Sequence, residues 1–141
     1  MKVIFVCTGN TCRSPMAESM AREKMPQHKF ESRGIYAMEG QPTSSHTIEV
    51  LNAYQLPKPT NSQPFKQEDL SADLILTMST AHKEMLLSMS QSAHNIYTLN
   101  EYVEEPYEVA DPFGGTKEAY ETIYKQLDDL LNKLKIKLAQ R

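Results

Sequence analysis

The chain has 141 residues, 40% of them hydrophobic and 23% charged, which suits one packed domain over residues 1–141 and argues against wholesale disorder. Fifteen Lys and Arg against eighteen Asp and Glu leave a net charge of −3, a poor balance for a general nucleic-acid binder. No apolar run nears the roughly 20 residues that span a bilayer, and the opening Met1-Lys2-Val3-Ile4-Phe5-Val6 is too short for a signal peptide. A cytoplasmic monomer with no membrane or nucleic-acid partner is therefore expected. In a reducing compartment its two cysteines, Cys7 and Cys12, point to chemistry or redox response rather than to a structural staple.

Residues 2–6 form a near-continuous apolar run, the pattern of a strand buried on both faces of a parallel sheet. A polar turn follows, then a helix with Ser14 as N-cap, Pro15 at the first helical position and a stripe of Met16, Ala17, Met20 and Ala21. Pro26 closes it. Residues 29–36 read as a second strand. Residues 44–55 read as a helix with Ile48, Val50 and Leu51 inward, and the three prolines of 57–64 as a surface connection. Residues 74–78 form a third strand. Ser79 or Thr80 caps a helix to about Met89, and residues 96–99 make a short fourth strand. A loop covers about 100–115. The last helix spans about 117–138, with Tyr120, Ile123, Leu127, Leu130, Leu134 and Leu138 at helical spacing, Glu118 and Glu121 early and Lys133, Lys135 and Lys137 late. Alternation of strand and helix at these lengths predicts a doubly wound α/β fold, a four-stranded parallel sheet with helices on both faces.

In such sheets ligands bind beyond the carboxyl ends of the strands. Between the first strand and the first helix lie Cys7-Thr8-Gly9-Asn10-Thr11-Cys12-Arg13, whose backbone N–H groups, with the helix N-terminus, form an anion cradle. Arg13 adds a planar fork of donors for phosphate oxygens. A cysteine at a helix N-terminus beside an arginine is set up to act as a thiolate, and at the floor of a phosphate site it can attack phosphorus in line. Five residues separate Cys7 from Arg13, a gap one curl of chain covers. Ser14 can donate a hydrogen bond to Cys7, which also makes the sulfur a better leaving group. Spacing alone would allow two buried cysteines and a surface arginine; the position between a strand and a capped helix favours catalysis. Neither Gly-x4-Gly-Lys-Ser/Thr nor Gly-x-Gly-x-x-Gly is present.

Phosphoryl transfer to Cys7 needs an acid for the leaving group. Asp111-Pro112-Phe113, before the last helix, supplies one. Pro112 stiffens the loop and biases Asp111 to an extended conformation, and Gly114-Gly115 allow a sharp turn. Taken alone, Asp-Pro is a turn before a helix; beside the cysteine loop, Asp111 reads as acid and then base.

The run from Val6 to Glu18, with Asp111-Pro112-Phe113 late in the chain, resembles the low-molecular-weight protein tyrosine phosphatases over nearly the full length. The resemblance implies a cysteinyl-phosphate mechanism with no metal or cofactor and phosphorylated proteins as partners. It assigns Cys7 as nucleophile, Arg13 as phosphate clamp and Asp111 as general acid and base. Thr8, Gly9, Asn10, Thr11, Cys12 and Ser14 form the substrate-binding loop, Asn10 and Ser14 shaping it and supporting the thiolate. His82 looks like a family histidine that backs the site from behind the loop, with a solvent-facing helix position the equal alternative.

Two features depart from the tyrosine-directed pattern. Thr11 stands where an aliphatic residue, often isoleucine, is common, and Gly114 where a second aromatic often follows. Both resemble the bacterial protein-arginine phosphatase branch. Phosphoarginine presents a polar, planar guanidinium. Thr11 would add a hydroxyl near its phosphorylated nitrogen, Asp111 would accept its N–H groups, and Phe113 would form an apolar wall. A hydrolase of phosphoarginine in proteins is the expected function, with phosphotyrosine the alternative; Thr11 as a neutral loop variant stays open. Arsenate reductases of this fold need later cysteines, and none follows Cys12. A binding module without turnover has no use for Cys7 and Asp111 together. Glu101, Glu104, Glu105 and Glu108 either favour basic surroundings in a substrate or form a solvated acidic loop, the latter being the simpler reading. Cys12 is either a redox partner that spares Cys7 from irreversible oxidation or a buried, inert thiol.

Overall fold

The computed structural model describes residues 1–90 and 94–141. Strand β1 (Lys2–Cys7) buries Val3, Ile4, Phe5 and Val6 completely. It pairs in parallel with β2 (Lys29–Gly34) on one side and β3 (Leu74–Thr77) on the other, and β4 (Ile96–Thr98) lies beyond β3. The order is β2-β1-β3-β4. The chain therefore leaves β1 in one direction and returns on its other side for β3, and the crevice of an open α/β sheet opens at that reversal, past the ends of β1 and β3.

Alternation along the strands divides the core. Val3, Phe5 and Cys7 of β1, with Leu74 and Leu76 of β3, pack with α1 (Arg13–Lys24), α2 (Ser45–Ala53) and α5 (Lys117–Ala139). Ile4, Val6 and Ile75 face Leu86 of α3 (Thr80–Met89) and Phe65 on the opposite side. Helices cover both faces, as the β–α alternation requires. In α5, all six apolar positions read from the sequence are buried, and Leu131 joins them. Each buried leucine contributes about 2 kcal/mol of transfer free energy. Thr116 caps this helix, its Oγ1 accepting from the Ala119 N–H at 3.4 Å.

Several local expectations are corrected. Helix α1 starts at Arg13 with Cys12 at the cap position and no side-chain cap, so Ser14 is not the N-cap and Pro15 is not the first helical residue. The Ser14 hydroxyl is held by tertiary partners instead. Strand β2 ends at Gly34, where the chain folds over the cysteine loop: Ile35 N–H donates to Cys7 C=O (3.0 Å) and Tyr36 N–H to Thr8 C=O (2.9 Å). In α2, Val50 and Leu51 are buried, Ile48 only half so, and Thr47 takes an interior place. The expected loop after residue 99 opens with a one-turn helix, α4 (Leu99–Tyr102), started by a reciprocal cap between Thr98 and Glu101. A 3-10 turn at Gln67–Ser71 precedes β3.

The proline-rich connection is built into the fold through a fully buried carboxylate. Glu18 of α1 accepts from Ser32 Oγ of β2 (2.6 Å) and from the Thr60 N–H (3.2 Å), and pairs with Arg22 (3.1 Å). Gly34 marks where this frame meets the loop. A Cβ there would lie 2.7 Å from Thr8 O, 2.8 Å from Ala37 Cβ and 2.8 Å from Asn10 N. Two of those atoms are backbone and cannot rotate away. Gly34→Ala is therefore expected to destabilise the protein by about 1–3 kcal/mol and to lower turnover as the loop shifts. Urea unfolding and phosphatase assays on the purified variant check this, and unchanged values in both would contradict it.

Candidate active site

Seven residues carry the chain from the end of β1 into α1, and they curl because Asn10 adopts a left-handed conformation (φ 56°). Asparagine tolerates that region because its short side chain finds local partners. Here Asn10 Oδ1 accepts from the Gln63 N–H at 2.9 Å and its Nδ2 donates to Ser14 Oγ at 2.8 Å. Ser14 Oγ in turn lies 2.8 Å from Cys7 Sγ. Ser14 Oγ accepts from Asn10, and its own proton faces two acceptors, Cys7 Sγ at 2.8 Å and the Arg33 C=O at 3.4 Å, of which the sulfur is the nearer.

Cys7, Thr8, Gly9, Thr11, Cys12, Arg13, Asp111 and Phe113 line one cavity of about 220 Å³ at the crevice. Eight residues named from the sequence thus meet in space although Asp111 and Phe113 come from a distant loop. The side chains of Asn10 and Ser14 are buried beneath the loop, where they hold its shape, and they do not line the cavity. Arg13 is buried as well. Its guanidinium donates to Val109 C=O (3.1 Å) and lies 3.7 Å from Asp111 Oδ2. Asp111 is exposed, and its Oδ1 accepts from the Phe113 N–H at 3.0 Å, an Asx turn stiffened by buried Pro112. Gly114 follows with φ 76°, which suits glycine. Phe113 stands exposed at the mouth.

A larger cleft of about 400 Å³ lies along β2, lined by Arg22, Lys29 and Arg33 among others. Its guanidiniums are engaged: Arg22 on Glu18, and Arg33 on Glu31 (2.6 Å) and Asp69 (3.3 Å). No cysteine lines it. Among the described residues no group of three or more His, Cys, Asp and Glu could hold a metal ion, and no helix is long and apolar enough to cross a membrane.

Two residues, His82 and Tyr120, find partners at the site that the sequence did not reveal. His82 is buried, with Nε2 2.8 Å from Thr8 Oγ1 and Nδ1 2.9 Å from Ser79 Oγ, so the solvent-facing alternative is excluded. Ser79 also caps α3 by accepting from the His82 backbone N–H. Tyr120 of α5 places its hydroxyl 3.4 Å from Cys12 Sγ, and burial together with that contact raises its pKa. Both cysteines are unbridged. Three of the four acidic residues before Asp111 have structural duties: Glu101 pairs with Lys83, Glu105 with Lys133, and Glu108 accepts from the Thr80 N–H at 2.7 Å.

Burial, then the charge of Arg13, depresses the His82 pKa to about 4, against smaller opposing pulls from Asp111 and Glu108. Between its ordinary value near 6.5 and about 4, the unfolded chain takes up a proton at this position that the folded chain refuses. Stability is therefore complete above pH ~6.5 and falls on acidification through that window, by up to about 3 kcal/mol from this group. NMR titration of the His82 ring should give a midpoint near 4, and His82→Gln should remove this part of the pH dependence. A midpoint above about 6 would contradict the assignment.

The sequence matches the family model described as "Low molecular weight phosphotyrosine protein phosphatase" over residues 2–141. It is 49% identical over 137 residues to "Low molecular weight protein-tyrosine-phosphatase PtpB" of Staphylococcus epidermidis, covering 97% of this chain and 99% of that one. Among solved structures, the YwlE arginine phosphatase from Geobacillus stearothermophilus superposes with a TM-score of 0.94 at 34% identity, covering 99% of this chain and 93% of that one. A low molecular weight protein tyrosine phosphatase from T. tengcongensis superposes at 0.92 and 39% identity, covering 97% and 99%. The likeness spans the cysteine loop, the sheet and the aspartate loop alike, and on that ground the chain belongs to the low molecular weight phosphotyrosine protein phosphatase family.

Proposed function

We propose that this phosphatase hydrolyses phosphoarginine residues in proteins through a cysteinyl-phosphate intermediate, with Cys7, Arg13 and Asp111 as its catalytic residues. The observation that carries the reading is the meeting of the Cys7 thiol, the buried Arg13 guanidinium and the Asp111 carboxyl on one small cavity. In the first step the Cys7 sulfur, as thiolate, attacks phosphorus. The S–P bond forms, the P–N bond of phosphoarginine breaks, and Asp111 delivers a proton to the departing nitrogen. Arg13 and the loop N–H groups hold the phosphoryl oxygens as charge spreads onto them. In the second step Asp111 takes a proton from water, the water oxygen attacks phosphorus, and the sulfur leaves as thiolate with Ser14 Oγ, 2.8 Å away, donating to it. Arg13 keeps one N–H on the Val109 C=O and turns its remaining N–H groups from Asp111 to phosphate.

The preference for arginine rests on the rim. Thr11 lines the cavity with a half-buried hydroxyl, 3.8 Å from Cys12 Sγ, where a bulky aliphatic chain would flatten the wall for a phenol ring. Asp111 keeps one oxygen toward Arg13 and is exposed enough to receive guanidinium N–H groups. A site built to bond those groups rejects an analogue that lacks them. The Geobacillus relative described as an arginine phosphatase supports the same reading. Phosphotyrosine is the second reading, favoured by the name of the S. epidermidis relative.

Values of kcat/KM for phosphoarginine and phosphotyrosine peptides of matched sequence separate the two. The arginine reading expects the phosphoarginine peptide to be preferred and Thr11→Ile to move the ratio about ten-fold toward phosphotyrosine. A preference for phosphotyrosine in the unaltered protein would overturn it, and a ratio unmoved by Thr11→Ile would remove Thr11 from the specificity argument.

A further inference from the structure

We propose that Gln126, on the flank of α5, is a positioning residue that aims Asp111 at the leaving group; the inference rests on the reading of Asp111 as the general acid. Residues 108–110 run just before Asp111 and are pinned on both edges. On the sheet side, Val109 N–H donates to Met78 C=O (3.2 Å) and Val109 C=O accepts from Arg13 (3.1 Å). On the helix side, Gln126 Nε2 donates to Glu108 C=O at 3.0 Å and Gln126 Oε1 accepts from the Ala110 N–H at 3.3 Å. One carboxamide thus takes an acceptor and a donor two residues apart, the spacing a neighbouring strand would offer. The Glu108 carboxylate adds a third tie, to the Thr80 N–H at the start of α3.

This matters because Asp111 has little of its own to hold it. Its carboxylate is more than half exposed, and among the described residues its polar partners are the Phe113 N–H two residues on and, at 3.7 Å, Arg13. The direction in which it points is inherited from the backbone that ends at Ala110, one residue away. Phosphate entering the cradle competes for Arg13, and the clasp then keeps Asp111 from following or drifting. Gln126 itself is half-buried beside the core positions Ile123 and Leu127. Glu108 and Ala110 can bond to water in its place, so its loss loosens the loop without emptying the core.

The experiment compares kcat/KM on p-nitrophenyl phosphate, whose leaving group departs readily, with that on phenyl phosphate, whose leaving group needs a proton. Gln126→Leu should lose about ten-fold on phenyl phosphate and less than about two-fold on p-nitrophenyl phosphate. Gln126→Glu keeps the acceptor for Ala110 but cannot donate to Glu108, and should fall between. Gln126→Met keeps the length of the side chain and is read in the same way if leucine disturbs α5. Equal losses on both substrates, or none, would overturn the proposal, because a general loosening of the fold does not sense the leaving group. Asp111→Asn run beside these variants must show the same inequality, more strongly; if it does not, the acid assignment falls and the role of Gln126 with it.

Discussion

A hydrogen-bond chain from Gln63 through Asn10 and Ser14 to the sulfur of Cys7 holds the site together. It begins on a backbone N–H in the proline-rich connection, passes through a left-handed asparagine and ends on the proposed nucleophile. Asn10, Ser14 and Cys7 are buried and Gln63 is half-buried, so the bonds pair donors and acceptors that would otherwise be stranded away from water. The chain does two things at once. It fixes the curl that turns the loop N–H groups inward, and it sets a hydroxyl 2.8 Å from the sulfur, nearer than its other acceptor, the Arg33 C=O at 3.4 Å. A loop stabilised only by its own backbone would have no such coupling between shape and nucleophile.

The fold surrounds that chain with fixed points. Gly34 lets β2 press against Thr8 and Asn10, closer than any Cβ would allow. Glu18 ties α1, β2 and the Thr60 segment together from inside, which brings Gln63 within reach of Asn10. Arg13 is buried and shared between the backbone at Val109 and the carboxylate of Asp111. The basic residue that would bind phosphate is thus also the contact that draws the aspartate loop to the cysteine loop. Beneath Thr8, the neutral ring of His82 links α3 to the rim.

Much of this was legible in the residues because it is local. The apolar run of β1, the Cys7-to-Arg13 spacing, the Asp111-Pro112 pair and the leucine stripe of α5 each express themselves within a few positions. What failed to show is what depends on distant partners. Ser14 before Pro15 looks like a helix cap, yet its hydroxyl goes to Cys7 and Asn10, and the helix starts without one. The roles of Gln63, Tyr120 and Gln126 arise only when separate segments meet. His82 could be assigned to core or solvent only once the rotation of α3 against Thr8 was known. The turn of α4 is a different case, since Thr98 and Glu101 carry the capping spacing in plain view and were overshadowed by the loop-like stretch that follows.

The claim on which the account rests is that Cys7 carries the phosphoryl group during turnover. Acid quenching in the first turnovers with p-nitrophenyl phosphate, followed by mass spectrometry with fragmentation, reads this directly. The account predicts a phosphate on Cys7 and none on Cys12, with no adduct and no turnover in Cys7→Ala. Turnover by Cys7→Ala at the rate of the unaltered protein, or phosphate found on another side chain, would contradict it.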